Sequence, residues 1–587
     1  MSVLSTSGIN SLVSSYISAE TQRRLDPLTT KKSKYQSLSS AYGTLSSKLS
    51  TLKSTLTTLK LTGSESAFLT KKASSSDSSF VSAIATSSAA NSSFSLRVSQ
   101  LAKSDVALSS DLASASINGV TTGAHAFTIK TGDGETGEFL SNISVDLDAT
   151  DTNKETMEKI RNAINADRAV VTSNSMSGTY SGAAGKFTVD VDGTEHEITY
   201  NSGESYDSII TNLVEQINEI SGVTAEKVID GSNVSLKITV TDSSKYISIE
   251  NSTDTGDLLD SSHFNIDVTK EKGASGIVSA SVFSPTTTTS QFSLTAKNSG
   301  LDYRIKSLLD AGTSTALDSI GMNLGSSRPT FSQVDGADTA GFVYSDITDS
   351  SNQLNAKIQF NGLTIQRNSN AVSDLVTGVT FNLQSVMNAA DKDVSVSIQN
   401  NIDESKTQIQ KFIDNFNAAY SYLRTQSSNT NGTRGVFYGD SNAMSLKNLF
   451  TTYGYTQVSG LSADSVKSLT EIGITFDVNV GLKVSDNSLL EDKLTNNIDE
   501  VEALFNSTDG IANSLYNSIN PYLGSAGYIS TTQTSLNNNV RNISSRISTI
   551  NTSINKSADT LRKRYDQLLS QLAELYSSQS YLSSLSG

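Results

Sequence analysis

The sequence predicts an α+β multidomain protein in which long helices from both termini form a coiled-coil stalk carrying nested, β-rich head domains. Three observations carry this expectation. Leucine-rich stripes with 3-4-3-4 spacing run along residues 28–59 and 536–582, and short alternating runs dominate between them. A chain of 587 residues also exceeds what one hydrophobic core supports, so three or four domains are expected.

The N-terminal stripe is Leu28, Tyr35, Leu38, Tyr42, Leu45, Leu49, Leu52, Leu56 and Leu59, with only Lys31 filling a seam position. Such a heptad keeps one apolar seam turned toward a partner helix. Pro27 suits a first helical turn, where a missing N–H costs little, and Gly63 suits a C-terminal cap. The C-terminal stripe is Leu536, Val540, Ile543, Ile547, Ile550 and Ile554, then Leu561, Tyr565, Leu568, Leu572, Leu575 and Leu582. Its phase slips once, between Ile554 and Ala558. At 1.5 Å per residue the two helices reach roughly 50 and 75 Å.

The outward positions are mostly Ser and Thr, each costing roughly half a kcal/mol relative to Ala in a helix. Burying each seam leucine returns about 1.5–3 kcal/mol, but only against a partner. Both ends are therefore expected to be marginal alone and to order on assembly, leaving a monomer core over residues 65–525. Leu45, Leu49 and Leu52 are expected to meet the C-terminal stripe around Leu561–Leu575. On that reading Leu49→Glu abolishes function without unfolding the head.

The middle reads mainly as strand. Phe94–Val98, Ile358–Phe360 and Val394–Ile398 alternate. Residues 124–260 hold a two-copy β-β-α repeat, with helices at Thr156–Ala166 and Tyr206–Ile220. The second hairpin turns on Asp192-Gly193. Gly/Ser-rich joints are expected at Ser175–Gly185 and Gly273–Gly276. From Ile402 the chain turns helical again, with Phe412, Ile413, Phe416 and Tyr420 on one face.

Charge is unevenly placed. Of the net −15, residues 1–64 carry +6, residues 529–587 carry +3, and the middle carries −24. The acidic balance argues against nucleic acid as a partner. Without Cys there are no disulfides or thiolate metal sites. No apolar run is long enough to span a bilayer, and Met1-Ser2-Val3-Leu4 does not open a secretory signal.

Catalytic chemistry lacks residues. Gly439-Asp440-Ser441-Asn442-Ala443 mimics a nucleophile elbow, but no histidine follows Ser441, and a helix cap is the better reading. His125, His196 and His263 are scattered, so no metal or other cofactor is expected. Asp190-Val191-Asp192-Gly193 lacks the rest of a calcium loop.

The motifs taken in order resemble the flagellar filament cap family, also called the second hook-associated protein. They are Gly8-Ile9-Asn10, Leu25-Asp26-Pro27-Leu28, Leu38–Leu45, Ser95–Ala102, Gly378–Leu383, Ile472-Gly473-Ile474 and Gln579–Leu582. One departure is Ile9-Asn10, where the family often has Asp after the first Gly. The resemblance covers roughly residues 1–110 and 340–587.

The resemblance implies an exported, non-enzymatic structural protein of the bacterial flagellum. It implies passage through the flagellar type III apparatus with an export chaperone, and a ring of copies, commonly five, at the distal filament tip that retains flagellin. It also implies six segments: 1–64, an N-terminal leg; 65–110, the first part of an inner head domain; 111–285, an outer variable head domain; 286–400, the returning inner segment; 401–527, a helical domain beside the stalk; and 528–587, a C-terminal leg. The stalk interface is then Leu38, Tyr42, Leu45, Leu49, Leu52, Leu56, Leu59, Ile543, Ile547, Ile550, Leu561, Leu568, Leu572, Leu575 and Leu582. Alternatives are another axial protein, such as a flagellin or hook–filament junction protein, and a surface adhesin using the β-rich head. Acidic bodies in a ring are expected to repel, so the ring is expected to tighten as salt rises.

Overall fold

The computed structural model describes residues 5–334, 338–348 and 351–585. Met1–Leu4 and Ser586–Gly587, named in the expectations for the two ends, lie outside the described residues. The chain divides into two compact units. One joins Met1–Lys72, Thr86–Ala89 and Gln399–Gly587; the other joins Ala73–Ala85 and Ala90–Ile398.

The first unit opens with helix α1 (Thr6–Glu20), capped by Ser5, whose side chain accepts from the Gly8 N–H at 3.1 Å. A π-helical turn, Thr21–Leu25, leads straight into helix α2 (Asp26–Leu59). Pro27 therefore does not open the helical run, as its sequence position suggested, but lies in the first turn of α2. It has no N–H for the carbonyl of Arg23, and its ring crowds that carbonyl. A widened turn immediately before it relieves the clash.

The second unit is β-rich. Ser92–Gln100 lies between Val394–Asn400 and Ala356–Phe360, so the three alternating runs read from sequence are neighbours in one five-stranded sheet. Phe94 sits between Phe360 and Phe381, with ring centroids 5.3 and 5.7 Å away.

The two repeat copies share a seven-stranded sheet. Its order is Thr194–Tyr200, Gly185–Val191, Tyr246–Ile249, Val268–Lys272, Glu138–Leu147, Gly123–Gly132 and Ile305–Asp310. Helix α3 (Asn153–Ala166) follows the first hairpin and starts at a full capping box between Thr152 and Glu155. Helix α4 (Tyr206–Ile217) follows the second. Each helix buries its own stripe: Met157, Ile160 and Ile164 with Phe127, Ile129 and Ile143, and Ile209, Ile210, Leu213 and Ile217 with Phe187, Val189 and Ile198. Asp192 and Gly193, at φ 53° and 83°, make the tight turn that this dipeptide favours.

The two Gly/Ser-rich joints are closely packed. Gly273–Gly276 enters the short buried helix α5 (Ala274–Ile277), and a Cβ on Gly276 would lie 1.8 Å from the carbonyl oxygen of Ser243. Ser175–Gly185 carries the fully buried Tyr180. Small residues here permit close approach rather than motion. The boundary expected at 285 and 286 falls in the turn of a hairpin paired from Val278↔Ala296 to Phe283↔Gln291.

Two carboxyls, the buried Glu271 and the half-buried Asp167, lie where the repeat copies meet. Burial pushes Glu271 up to about 7 and Asp167 up to about 6, against ordinary values of 4.5 and 3.8. Asn142 and the Val170 N–H partly offset the effect at Glu271, and the Asp167 charge adds to it. A raised carboxyl stabilises the fold fully below its unfolded pKa and loses that contribution as pH rises through the folded one. The second unit is therefore expected to weaken between about pH 4.5 and 8, by about 3 kcal/mol through Glu271. Glu271→Gln should flatten the dependence of the melting temperature on pH over this window.

The chain then completes the first unit with α6 (Ile402–Ser427), α7 (Ser441–Tyr455), α8 (Asn487–Asn496), α9 (Ile498–Asn506), α10 (Ile511–Ile519) and α11 (Tyr528–Leu585). Among the described residues no helix is long and apolar enough to cross a membrane.

Candidate assembly interface

The α2 stripe is the spine of the first unit's own core. Leu45, Leu49, Leu52, Leu56 and Leu59 are at most 1% exposed, Tyr42 is 2% exposed, and Leu38 is half-buried beside them. The partners are Ile409, Phe412, Ile413 and Phe416 of α6, Leu515 and Ile519 of α10, and Ile529 and Leu536 at the start of α11. Tyr42 donates to Asp440 at 2.7 Å and packs on Phe437 at 4.9 Å. Burial, then Asp440, holds its hydroxyl far above the usual tyrosine range. Asp440 also caps α7, accepting from the N–H groups of Asn442 and Ala443 at 3.1 Å. The elbow-like run is thus a helix N-terminus.

The expected contact of Leu45, Leu49 and Leu52 with Leu561–Leu575 is not formed. The Ser39 hydroxyl donates to Asn537 at 3.1 Å, Gln533 donates to the Ser39 carbonyl at 3.0 Å, and Arg562 donates to Asn10 at 3.1 Å. In this antiparallel register Leu45 lies level with the start of α11, and Leu49 and Leu52 lie beyond it. Residues around 561 meet α1 instead. The expectation that α2 awaits assembly partners is corrected for the same reason: its seam is filled by α6 and α10. Sequence reading missed α1 as a layer. Its signal was Ile9, Val13 and Ile17 at four-residue spacing.

Along α11 the packing changes at the phase slip. Ile543 and Ile554 are buried, with Ile547 and Ile550 half-buried between them. One turn on, Ala558 is 3% exposed and packs with Ile9 and Val13, flanked by Tyr16, Ile17, Tyr565 and Leu569. The four-residue step from 554 to 558 is a stutter that rotates the seam toward α1, and alanine lets that helix approach.

From Leu561 onward the same heptad opens progressively. Leu561, Tyr565 and Leu572 are half-buried, whereas Leu568, Leu575 and Leu582 are 46%, 64% and 66% exposed. Tyr576 and Tyr581 are exposed beside them. The expected interface residues therefore fall into three groups: a sealed core seam in α2, the buried and half-buried Ile543, Ile547 and Ile550 in mid-α11, and an apolar stripe that opens toward the far end of α11. An open leucine stripe has no catalytic chemistry; it binds another apolar surface.

Among the described residues no group of His, Asp and Glu is placed to hold a metal. His125 bonds the Thr121 carbonyl at 2.9 Å, and His263 bonds Tyr206 at 2.5 Å.

Comparison with known proteins adds the following. The sequence profile described as "Flagellar hook-associated protein 2 N-terminus" matches residues 5–105, and "Flagellar hook-associated protein 2 C-terminus" matches 354–576. The A-type flagellar hook-associated protein 2 of Pseudomonas aeruginosa is 28% identical over 314 residues, 51% of this chain and 62% of that protein. Flagellar hook-associated protein 2 of Salmonella typhimurium is 25% identical over 236 residues, 39% of this chain and 50% of that protein. The matches thus span about half to three-fifths of these relatives' lengths. The crystal structure of the D1-D2-D3 domains of the flagellar cap protein FliD from Escherichia coli aligns with 85% of this chain and 99% of that chain. Its identity is 18% and its TM-score 0.45.

Proposed function

The chain belongs to the flagellar hook-associated protein 2 family, and from that premise we propose that it is a non-enzymatic assembly factor capping the distal tip of the flagellar filament. In this role it leaves the cell through the flagellar type III route with an export chaperone. It then forms a ring, commonly of five copies, and retains arriving flagellin so that each subunit inserts in order. The six segments expected from sequence, with a β-rich head nested between two legs, belong to the same proposal.

The observation that carries it is the uncovered heptad at the end of α11. Three leucines that are 46–66% exposed on one helix face cost solubility in a monomer and are retained where a partner covers them. Each contributes about 1.5–3 kcal/mol when buried. The basic ends and the absence of Cys support the same reading: the leg carries the charge opposite to the body, and nothing cross-links during export.

Deleting the gene in its own host tests the proposal. Flagellin is expected to accumulate in the medium while filaments are lost, and the full chain supplied in trans restores them. Normal filaments in the deletion strain would overturn the reading.

A further inference from the structure

In the β-rich unit a groove of about 500 Å³ is lined by Lys130, Arg304, Lys306 and Arg328, with Leu309 and Phe342 as apolar floor. Its four cations face two carboxylates. Glu138 pairs with Lys130 at 2.6 Å, and the fully buried Asp105 lies against Arg328 at 2.6 Å. Arg304 and Lys306 meet backbone carbonyls, those of Leu301 at 3.0 Å and Gly137 at 2.6 Å. Neither makes an ion pair among the described residues. Arg328, stacked 4.1 Å from Phe342, has a buried Nε with no partner among the described residues. The groove is thus a fixed concentration of positive charge on a unit that is otherwise acidic.

The acid is concentrated too. Residues 169–268, the second repeat copy with its flanking strands, hold four Lys or Arg against sixteen Asp or Glu, a net −12. On one face Glu204, Glu215 and Glu219 line a second groove of about 300 Å³. Glu215, in the last turn of α4, and Glu219, in the turn that follows it, are exposed and make no ion pair among the described residues.

We propose that these two surfaces meet between copies: the Glu215/Glu219 face of one chain docks at the Arg304/Lys306 groove of the next. The inference rests on the capping role and deepens it by naming the contact that closes the ring. Two different patches on one chain make a heterologous contact, which generates a ring when its rotation closes. Complementary charge fixes register and excludes like-charged approach. This reverses the salt dependence expected from total charge alone. A body at −24 suggests repulsion relieved by salt, whereas a local acid–base contact is weakened by it.

The test is self-association of the full chain, followed by sedimentation velocity and light scattering at 50 and 500 mM NaCl. The wild type is expected to associate at least tenfold more weakly at the higher salt. R304E/K306E and E215K/E219K should each weaken association at least tenfold at low salt. A chain carrying all four changes restores the acid–base match and should recover to within about threefold of wild type. Unchanged melting temperatures confirm folding; if R304E/K306E melts early, R304Q/K306Q and the wild-type salt series decide.

Association indifferent to salt or strengthened by it, a fourfold variant no stronger than either pair, or a wild type that stays monomeric would each overturn the contact. Tip localisation is read separately. Protein found at filament tips alongside any of those results loses this contact and keeps the capping role, whereas absence from tips removes the capping role itself.

Discussion

Leu49→Ala is expected to lower the stability of the helical unit by about 3–5 kcal/mol, and Leu49→Glu to leave that unit unfolded. Leu49 is 0% exposed, in the middle of a core that joins α2 to α6 and α10. Truncation removes the transfer energy of the lost methyl groups and leaves a cavity that neighbouring large side chains cannot fill; the cost for buried leucines is about 2–5 kcal/mol. A carboxylate at the same place has no cation within the cluster, so an uncompensated buried charge adds several kcal/mol more. Whole domains are stable by only about 5–15 kcal/mol. Circular dichroism at 222 nm should show most of the helical signal lost in Leu49→Glu, and an early first melting step in Leu49→Ala. Wild-type melting of Leu49→Glu would place α2 at the surface and remove the core described here.

The second large effect is functional rather than structural. Replacing Leu568, Leu575 and Leu582 together by Ser removes the open stripe of α11 at positions that are 46–66% exposed, outside the buried clusters. Exposed positions of this kind shift stability by at most about 0.5 kcal/mol each, so melting should stay close to wild type. If three leucines become buried at about 1.5–3 kcal/mol apiece on docking, their loss weakens docking by more than a thousandfold. The expected phenotype is loss of filaments with flagellin in the medium, from a protein that folds normally. Normal motility of the triple variant would show that the stripe is not the docking surface.

The two variants mark what sequence reading reached and where it stopped. Both stripes were legible because a 3-4 repeat of leucines admits few conformations, and the slip at Ile554–Ala558 was visible as a break in that count. The β-β-α copies were legible for the same reason, with Asp192-Gly193 placing one turn. What a stripe does not name is its partner. The α2 seam was matched to Leu561–Leu575 because both are long and apolar, yet an antiparallel pair with α11 starting at Tyr528 runs out of helix near Leu45. The rest of the seam is taken by α6, whose Phe412, Ile413 and Phe416 face was read without a partner, and by α10, which was not singled out. The packing of α1 on α11 was not read because Ile9, Val13 and Ile17 stand among serines and form too brief a pattern. The basic groove was invisible in a different way: Lys130, Arg304 and Arg328 come from distant stretches, and only the fold brings them to one place.

The most direct test of the central claim is electron microscopy of filaments from the host, with the protein carrying a gold label on an exposed loop of its β-rich unit. Label is expected at the distal end of each filament and nowhere along its length. Label spaced along the shaft, or confined to the hook end, would contradict it and identify the chain as a filament or junction subunit instead.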